Sequence, residues 1–271
     1  MRASSLVPVG RRSAVALLLA SAAGALAFLW PLVVGAGSPL AQATLAPVVL
    51  GGVLGAVLLL LHLVLADGGL DVKAVALLGL LSAVGAVLRP LSAGTAGIEL
   101  VFIVIILGAR VLGPGFGFAL GSTTLFTSAL LTGGVGPWLP YQMLAASWVG
   151  LGAGLLPGRD RWRGAREVVL LVGYGTVAAF GYGLVMNMAF WPFQLGGGTG
   201  LSFVAGDAVA DNLRRFVLYD LATSLGWDLG RAVTTATGLL LLGAPVLSAL
   251  RRTGTTAHFA PARSTSTPAV G

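Results

Sequence analysis

The sequence predicts an all-α integral membrane protein with eight transmembrane helices. Of its 271 residues, 56% are hydrophobic and only 9% are charged, whereas soluble domains carry about 25% charged residues. Apolar runs that approach the roughly 20 residues of a spanning helix recur along the chain. The basic residues lie in short clusters between these runs, which is typical of cytoplasmic loops under the positive-inside rule.

The predicted spans follow one another along most of the chain. They are Ser13–Gly35, Thr44–Ala66, Lys73–Leu88, Ile98–Leu112, Gly115–Leu131, Trp138–Leu156, Glu167–Phe190 and Asp228–Leu250. Because the third and fourth are short, we expect them to be tilted, broken or shielded by neighbours. Residues 1–12 are expected to form a cytoplasmic N-terminus, and the Ser-, Thr- and Pro-rich residues 253–271 a disordered cytoplasmic tail.

The basic clusters set the expected orientation. With Arg11 and Arg12 inside, eight crossings place the cluster at 159–166 and the pair at 251–252 on the same side. We therefore expect a multi-pass protein of the cell membrane with both termini in the cytoplasm. Arg110 falls near the inner end of the fourth span. We expect its side chain to extend, or snorkel, to the membrane surface.

Turn residues and one amphipathic segment complete the predicted fold. Pro90 is expected to end the third helix, and Gly113-Pro114-Gly115 to form a tight inner turn before the fifth. The segment Gly206–Gly226 carries apolar residues at helical spacing with charges between them, which predicts an amphipathic helix at the outer surface. Two interpretations stay open: a helix that lies on lipid, or a lid over an outward-facing cavity.

Small residues recur at a spacing of four, which lets membrane helices approach closely. The third span carries two such pairs, Gly79 with Ala83 and Ser82 with Ala86, and glycines line the fifth and sixth spans. Packing within the fold is one interpretation. The other is that the four residues of the third span dock a partner membrane protein, with Ala16 and Ala20 of the first span as a competing face.

Polar and aromatic residues gather at the predicted outer ends of the helices, which is the composition of a small-molecule pocket. The candidate binding residues are Arg89, Glu99, Trp138, Tyr141, Gln142, Asn187, Trp191, Asp228 and Arg231. Structural alternatives exist for several of them. Arg89 could pair with Glu99, Asp228 could cap its helix or pair with Arg231, and the aromatic rings could belong to an interfacial belt.

Several classes of function find no support. The chain has no cysteine and two distant histidines, so we expect no metal site. It carries no phosphate-binding loop, nucleophile elbow or zinc-protease motif, so we expect neither an enzyme nor a cofactor. The scattered arginines also argue against nucleic acid as a partner.

Two stretches carry a family resemblance: LGARVLGPGFGFALGSTTLF (Leu107–Phe126) and GGVGPWLPYQMLAASWVGLGAGLLP (Gly133–Pro157). They resemble the substrate-binding (S) component of energy-coupling factor (ECF) transporters. The resemblance implies a six-helix core at 73–252, preceded by two additional helices at 13–72. It also implies a vitamin-like ligand bound near the outer face, a transmembrane coupling subunit and two cytoplasmic ATPases as partners. Where family members often have Ala-x-x-x-Ala for coupling, this chain has Gly79-x-x-x-Ala83.

Two other functions remain open from the sequence. A structural or assembly protein would use its glycine faces to hold other membrane subunits. A self-sufficient secondary carrier is weaker, because no buried run of acidic residues suggests ion coupling. The partners expected for the transporter subunit are a small-molecule substrate, the coupling and ATPase subunits, and the lipid bilayer.

Overall fold

The computed structural model describes residues 9–39, 46–67, 72–92, 96–158, 162–195 and 198–256. Over these ranges the secondary structure is helical, with one short 3₁₀ helix at Trp30–Leu32. The α-helices are α1 (Arg11–Phe28), α2 (Ala46–Asp67), α3 (Val72–Ser92), α4 (Val101–Leu112), α5 (Pro114–Thr132), α6 (Leu139–Leu155), α7 (Ala165–Gln194), α8 (Val209–Thr223) and α9 (Leu225–Thr256). The all-α class is therefore confirmed for the described part of the chain.

The predicted spans overlap α1–α7 and α9, and the amphipathic segment contains α8. The first span was predicted too long, because α1 ends at Phe28 and a separate 3₁₀ helix follows it. By length and composition, α1, α3, α5, α7 and α9 can each cross a membrane. Two shorter apolar stretches, Val48–Val64 and Val101–Leu112, lie in α2 and α4. A multi-pass membrane protein is thus supported, while the count of eight crossings stays a prediction. The predicted disordered tail begins too early, because α9 continues to Thr256; residues 1–8 and 257–271 lie outside the described ranges.

The short helix α4 is the centre of the bundle. Every residue of α4 except Val104 is buried, with α3, α5, α6, α7 and α9 packed around it. A helix that is apolar on all sides is stable where neighbours cover it completely. The expectation that neighbours shield this short segment is confirmed.

Glycines bring α5 and α6 into the closest contact of the fold. A Cβ atom on Gly117 would overlap the carbonyl oxygen of Gly150, and one on Gly121 would overlap the backbone of Ala146. Gly154 likewise faces the backbone of Pro114. Because no hydrophobic force drives helices together within lipid, such close backbone packing supplies the attraction. The glycines of these two helices therefore serve packing within the fold.

The hairpin of α1 and α2 packs on α6. Gly24 leaves room for the side chain of Leu144, and a Cβ on Gly51 would lie 2.8 Å from the carbonyl oxygen of Pro137. Phe28 is fully buried against Tyr141, with ring centroids 5.3 Å apart. Ala20 is buried in the same contact. The competing docking face that includes Ala20 is therefore used inside the protein.

Two predictions about individual residues are wrong. Pro90 does not end α3, which continues to Ser92 with the proline inside its last turn. A proline removes one helical hydrogen bond. In the last turn of a helix the chain can continue for a further two residues despite this loss. Arg110 does not snorkel, because its side chain is fully buried.

Arg110 belongs instead to an ion cluster at the end of the bundle opposite the predicted pocket. Its Nε donates to Glu167 Oε1 at 2.7 Å, and Arg251 Nη2 donates to both carboxylate oxygens of Glu167 at 2.7 and 2.8 Å. Arg110 Nη1 also donates to the carbonyl oxygen of Leu156 at 2.8 Å. The cluster joins α4, α7 and α9 to the end of α6. Glu167 lies in the first turn of α7, where the helix dipole favours a carboxylate.

Candidate substrate-binding site

The other end of the bundle holds a second polar network, where α3 ends and α4, α6 and α9 begin. Arg89 lies in the last turn of α3 and Gln142 in the first turn of α6. The Nη2 atom of Arg89 donates to Oε1 of Gln142 at 3.1 Å. This hydrogen bond satisfies the amide oxygen of Gln142, which would be costly to leave unpaired away from water.

Glu99 lies in the loop between α3 and α4, outside both helices, and is partly buried. Burial raises the pKa of its carboxyl group, and the positive charges of Arg89 and Arg231 oppose that rise. The loop is held against the start of α9 by two close backbone approaches. Gly97, at φ 76°, lies against the carbonyl oxygen of Trp227, and Gly230 lies against that of Ala96. Any side chain at either glycine would overlap these oxygens.

Arg231 joins the polar groups of α7 and α9. It forms an ion pair with Asp228, one turn earlier on α9, and donates to the carbonyl oxygen of Ala179 at 3.2 Å. Its guanidinium carbon lies 5.2 Å from the centre of the Tyr182 ring, within the range of a cation–π contact. The Nε atom of Arg231 is buried without a hydrogen-bond partner among the described residues.

Asn187 ties α7 to α8 and to the start of α9. Its amide nitrogen donates to Asp220 Oδ1 at 2.7 Å and to the hydroxyl oxygen of Ser224. One turn earlier, a Cβ atom on Gly183 would overlap the carboxylate of Asp228. The glycine therefore lets the Asp228–Arg231 pair sit directly against α7.

The predicted aromatic residues divide into buried and exposed positions. Tyr141 is 1% exposed and packs edge-on against Phe28 and Phe190. Trp191 is also 1% exposed, and its indole N–H donates to the carbonyl oxygen of Leu201 at 2.7 Å. Trp138 is 46% exposed and donates only to the nearby Gly134 carbonyl oxygen among the described contacts. Its ring therefore lies at the surface, although its carbonyl oxygen accepts from the backbone N–H of Gln142 at 3.0 Å.

The loop at 198–208 packs on Trp191 and on Trp30, just past the end of α1. Phe203 lies between Trp191 and Trp30, with ring centroids 5.6 and 6.0 Å away. The backbone N–H of Gly206 donates to the carbonyl oxygen of Val34 at 3.0 Å. The loop thus bridges α7 and the hairpin that precedes α3.

Helix α8 fixes the other side of this loop. The side chain of Asn212 both accepts from the N–H of Val204 and donates to its carbonyl oxygen. Arg215 forms an ion pair with Asp207 at 2.7 Å, and this contact lowers the pKa of the Asp207 carboxyl group. Phe216 of α8 is buried against Trp191. Helix α8 and the loop together cover the C-terminal end of α7.

The structure separates the four predicted docking residues of α3. Ser82 is buried and hydrogen-bonds to Thr123 of α5 at 2.7 Å, and Ala86 is fully buried. Gly79 and Ala83 are exposed, and no atom lies within 4 Å of a Cβ built on Gly79. Only Gly79 and Ala83 are therefore open to a partner.

Five predicted residues from four parts of the chain make up the polar network at this end of the bundle. Arg89 and Gln142 share a hydrogen bond, Asp228 and Arg231 form an ion pair, and the charges of both arginines act on Glu99. Asn187 joins it through Asp220, whose charge acts on Asp228. Sequence reasoning missed Tyr182, which contacts the guanidinium group of Arg231, and Trp30, which contacts the loop at 198–208. Tyr182 carried a usable signal, since a tyrosine between two glycines interrupts an otherwise apolar run. Nothing in the sequence distinguished Trp30 from an interfacial tryptophan.

Two guanidinium groups, two carboxylates, one amide and one phenol thus meet beside buried aromatic rings. This is a composition suited to a small molecule that is partly polar and partly apolar.

The protein-family model for the ECF transporter substrate-specific component matches residues 73–249. No curated protein and no solved structure gives a significant match. The matched region includes every residue of the polar network, and the chain belongs to the family of ECF transporter substrate-specific components.

Proposed function

We propose that this chain captures a small water-soluble micronutrient, such as a vitamin, from outside the cell and delivers it to an ATP-driven importer. The partners would be a transmembrane coupling subunit and two cytoplasmic ATPases. The observation that carries this proposal is the convergence of Arg89, Gln142 and Arg231 at one end of the bundle, around the loop of Glu99. Ionisable groups within a membrane protein are costly and usually mark a binding site or pathway.

The network offers specific contacts to a ligand. The buried Nε of Arg231 has no partner among the described groups, so a ligand acceptor placed there would satisfy an otherwise unpaired donor. Gln142 uses its oxygen toward Arg89, and among the described residues no acceptor occupies its NH₂ group, which could donate to a ligand. The nearby rings of Tyr141 and Tyr182 would accommodate an apolar or aromatic part of the same molecule.

Helix α8 and the loop at 198–208 support the lid interpretation of the amphipathic segment. An interfacial helix that merely lies on lipid needs no specific polar contacts to the protein. Here Asn187 binds Asp220 of α8, and Asn212 and Arg215 fix the loop. We infer that this segment covers the site and opens to admit the ligand.

The proposed orientation places the polar network outside and the Arg110–Glu167–Arg251 cluster at the cytoplasmic side. The arginines at 163, 166 and 252 then also lie at the cytoplasmic side, in agreement with the positive-inside rule. In the proposed division of the chain, residues 73–252 form the binding core and 13–72 an added hairpin. Gly79 and Ala83 are proposed to dock the coupling subunit.

The first experiment identifies the ligand. The protein is purified from cells that express it, and small molecules released on denaturation are identified by mass spectrometry. A vitamin panel is then tested by thermal shift and by binding titration. A retained or stabilising compound supports the proposal, whereas an empty protein that no compound stabilises would favour an assembly role.

Variants then locate the site. Gln142→Ala and Asn187→Ala should each weaken binding of the identified compound by roughly tenfold, the equivalent of one lost hydrogen bond of about 1.4 kcal/mol. Gln194→Ala is the matched control, because Gln194 is exposed at the end of α7. Unchanged affinity in both test variants would remove these residues from the site.

A further inference from the structure

A cleft of about 610 Å³ lies where α1 begins and α2 ends, in the added hairpin outside the family match. Two arginines stand at one end of the cleft, and apolar side chains line the remainder. The lining residues are Arg11, Arg12, Ser13, Val15, Ala16, Leu19 and Val64. The cleft is therefore amphipathic along its length.

The polar end of the cleft attracts anions for three reasons. Arg11 and Arg12 are both exposed, and the first turn of α1 contains no acidic residue. Gly10 provides no side-chain cap, so the first N–H groups of α1 add their partial positive charge.

The apolar end of the cleft faces the surface of the helical bundle. Val15 is 54% exposed and Leu19 is 66% exposed, on a helix long and apolar enough to span a membrane. A free inorganic anion could use the arginines but not this apolar lining. A phospholipid carries both parts, with a phosphate at the membrane surface and acyl chains below it. Basic pockets between membrane helices are established sites for anionic head groups.

We propose that this cleft binds one anionic phospholipid. Its phosphate contacts Arg11 and Arg12, and one acyl chain lies along Val15, Leu19 and Val64. The lipid would fill the space between the ends of α1 and α2 and hold the added hairpin at a fixed depth. The proposal is independent of the transported substrate, because the cleft lies at the opposite end of the bundle from the polar network.

The test measures lipid retention by the full-length protein. The chain is reconstituted in bilayer nanodiscs with equal amounts of phosphatidylglycerol and phosphatidylcholine, and lipids that stay bound after transfer to detergent are counted by native mass spectrometry. We expect one retained phosphatidylglycerol per chain. The double variant Arg11→Gln/Arg12→Gln should weaken retention by about 25-fold, since each arginine near a membrane surface contributes about fivefold.

Arg166→Gln is the matched control, because Arg166 is exposed near the same end of the bundle but does not line the cleft. Undiminished phosphatidylglycerol on the double variant, or equal retention of phosphatidylcholine by the unchanged protein, would overturn the proposal. Glycerol phosphate serves as a probe for the head group alone. If it protects the protein against heat as well as phosphatidylglycerol does, the site takes a soluble anion and the lipid assignment is wrong.

A second measurement separates lost binding from lost folding. Added phosphatidylglycerol should raise the unfolding temperature of the unchanged protein and of Arg166→Gln, but not that of the double variant. All three proteins should unfold at similar temperatures without added lipid, because the three substituted arginines are all exposed.

Discussion

Gly117 of α5 and Gly150 of α6 face each other so closely that a Cβ on either residue would overlap the carbonyl oxygen of the other. The two backbones are in direct contact, and α4 is packed against both helices. The position of the central helix therefore depends on these two residues having no side chain.

Gly117→Ala or Gly150→Ala should destabilise the protein by about 1–3 kcal/mol, because the new methyl group forces the two backbones apart. The measurement is thermal unfolding in detergent. Gly173→Ala is the control, since no atom lies within 4 Å of a Cβ at this exposed position of α7. Equal unfolding temperatures for all three variants would show that α5 and α6 tolerate a wider separation.

Glu167→Ala should lower the free energy of unfolding by about 3–5 kcal/mol, because it leaves Arg110 buried without its carboxylate partner. Asp211→Asn, at an exposed position of α8, should change stability little. The apolar double variant Arg110→Met/Glu167→Leu should recover much of the loss, since it removes both buried charges. If the double variant were as unstable as Glu167→Ala, the loss of stability in Glu167→Ala would not have an electrostatic origin.

Stability should depend on the charge of Glu99. Because its pKa is raised in the folded protein, the folded state holds the proton more tightly than the unfolded state. The Glu99 carboxyl group therefore contributes most to folding stability at a pH below its pKa in the unfolded chain. That contribution declines as the pH rises through its pKa in the folded protein. Glu99→Gln should remove this decline, so that the variant unfolds at a higher temperature than the unchanged protein at neutral pH.

The same variant tests the proposed site, because it should bind the identified ligand more weakly while being more stable. The measurements are unfolding temperature against pH and ligand affinity at neutral pH. Asp207→Asn is the comparison, since the lowered pKa of Asp207 predicts the opposite pH dependence: its stabilising contribution is present at neutral pH and is lost as the pH falls. If both variants changed the pH dependence of stability in the same direction, the opposite pKa shifts assigned to Glu99 and Asp207 would be wrong.

Gly79→Leu and Ala83→Leu should reduce co-purification of a coupling subunit by about tenfold or more, since about 1.4 kcal/mol of steric overlap is a tenfold change in affinity. Ligand binding by the isolated chain should be unchanged. Gly181→Leu is the control, because Gly181 is exposed on α7 with no atom within 4 Å of a Cβ. If both α3 variants still co-purified with the coupling subunit, Gly79 and Ala83 would be excluded as its docking surface.

Trp30→Ala should loosen the loop at 198–208. The substitution removes the stacking on Phe193 and the contact with Phe203, as well as the hydrogen bond to the Ala189 carbonyl oxygen. Removal of a buried tryptophan side chain costs about 3–5 kcal/mol. We expect faster hydrogen exchange across 198–208 and faster ligand dissociation. Trp162→Ala, at an exposed tryptophan far from this loop, should show neither effect.

Much of the fold followed from the sequence alone, because helices in lipid must be long, apolar and separated by polar turns. Composition predicted the class, and every predicted apolar run coincides with a helix. The spacing of glycines in α5 and α6 correctly indicated close packing. The end of α3 was misjudged, since a proline in a last turn removes too few bonds to stop a helix.

Tertiary structure decided which polar residues meet. Arg89, Glu99, Gln142 and Arg231 were recognisable as costly groups near helix ends, but their mutual contacts depend on how four separate segments pack. The same packing paired Arg110 with Glu167, two residues 57 positions apart in the chain. Local sequence determines where a helix forms, because its hydrogen bonds are local. It does not determine which helices become neighbours, because that depends on complementary side-chain shapes contributed by distant parts of the chain.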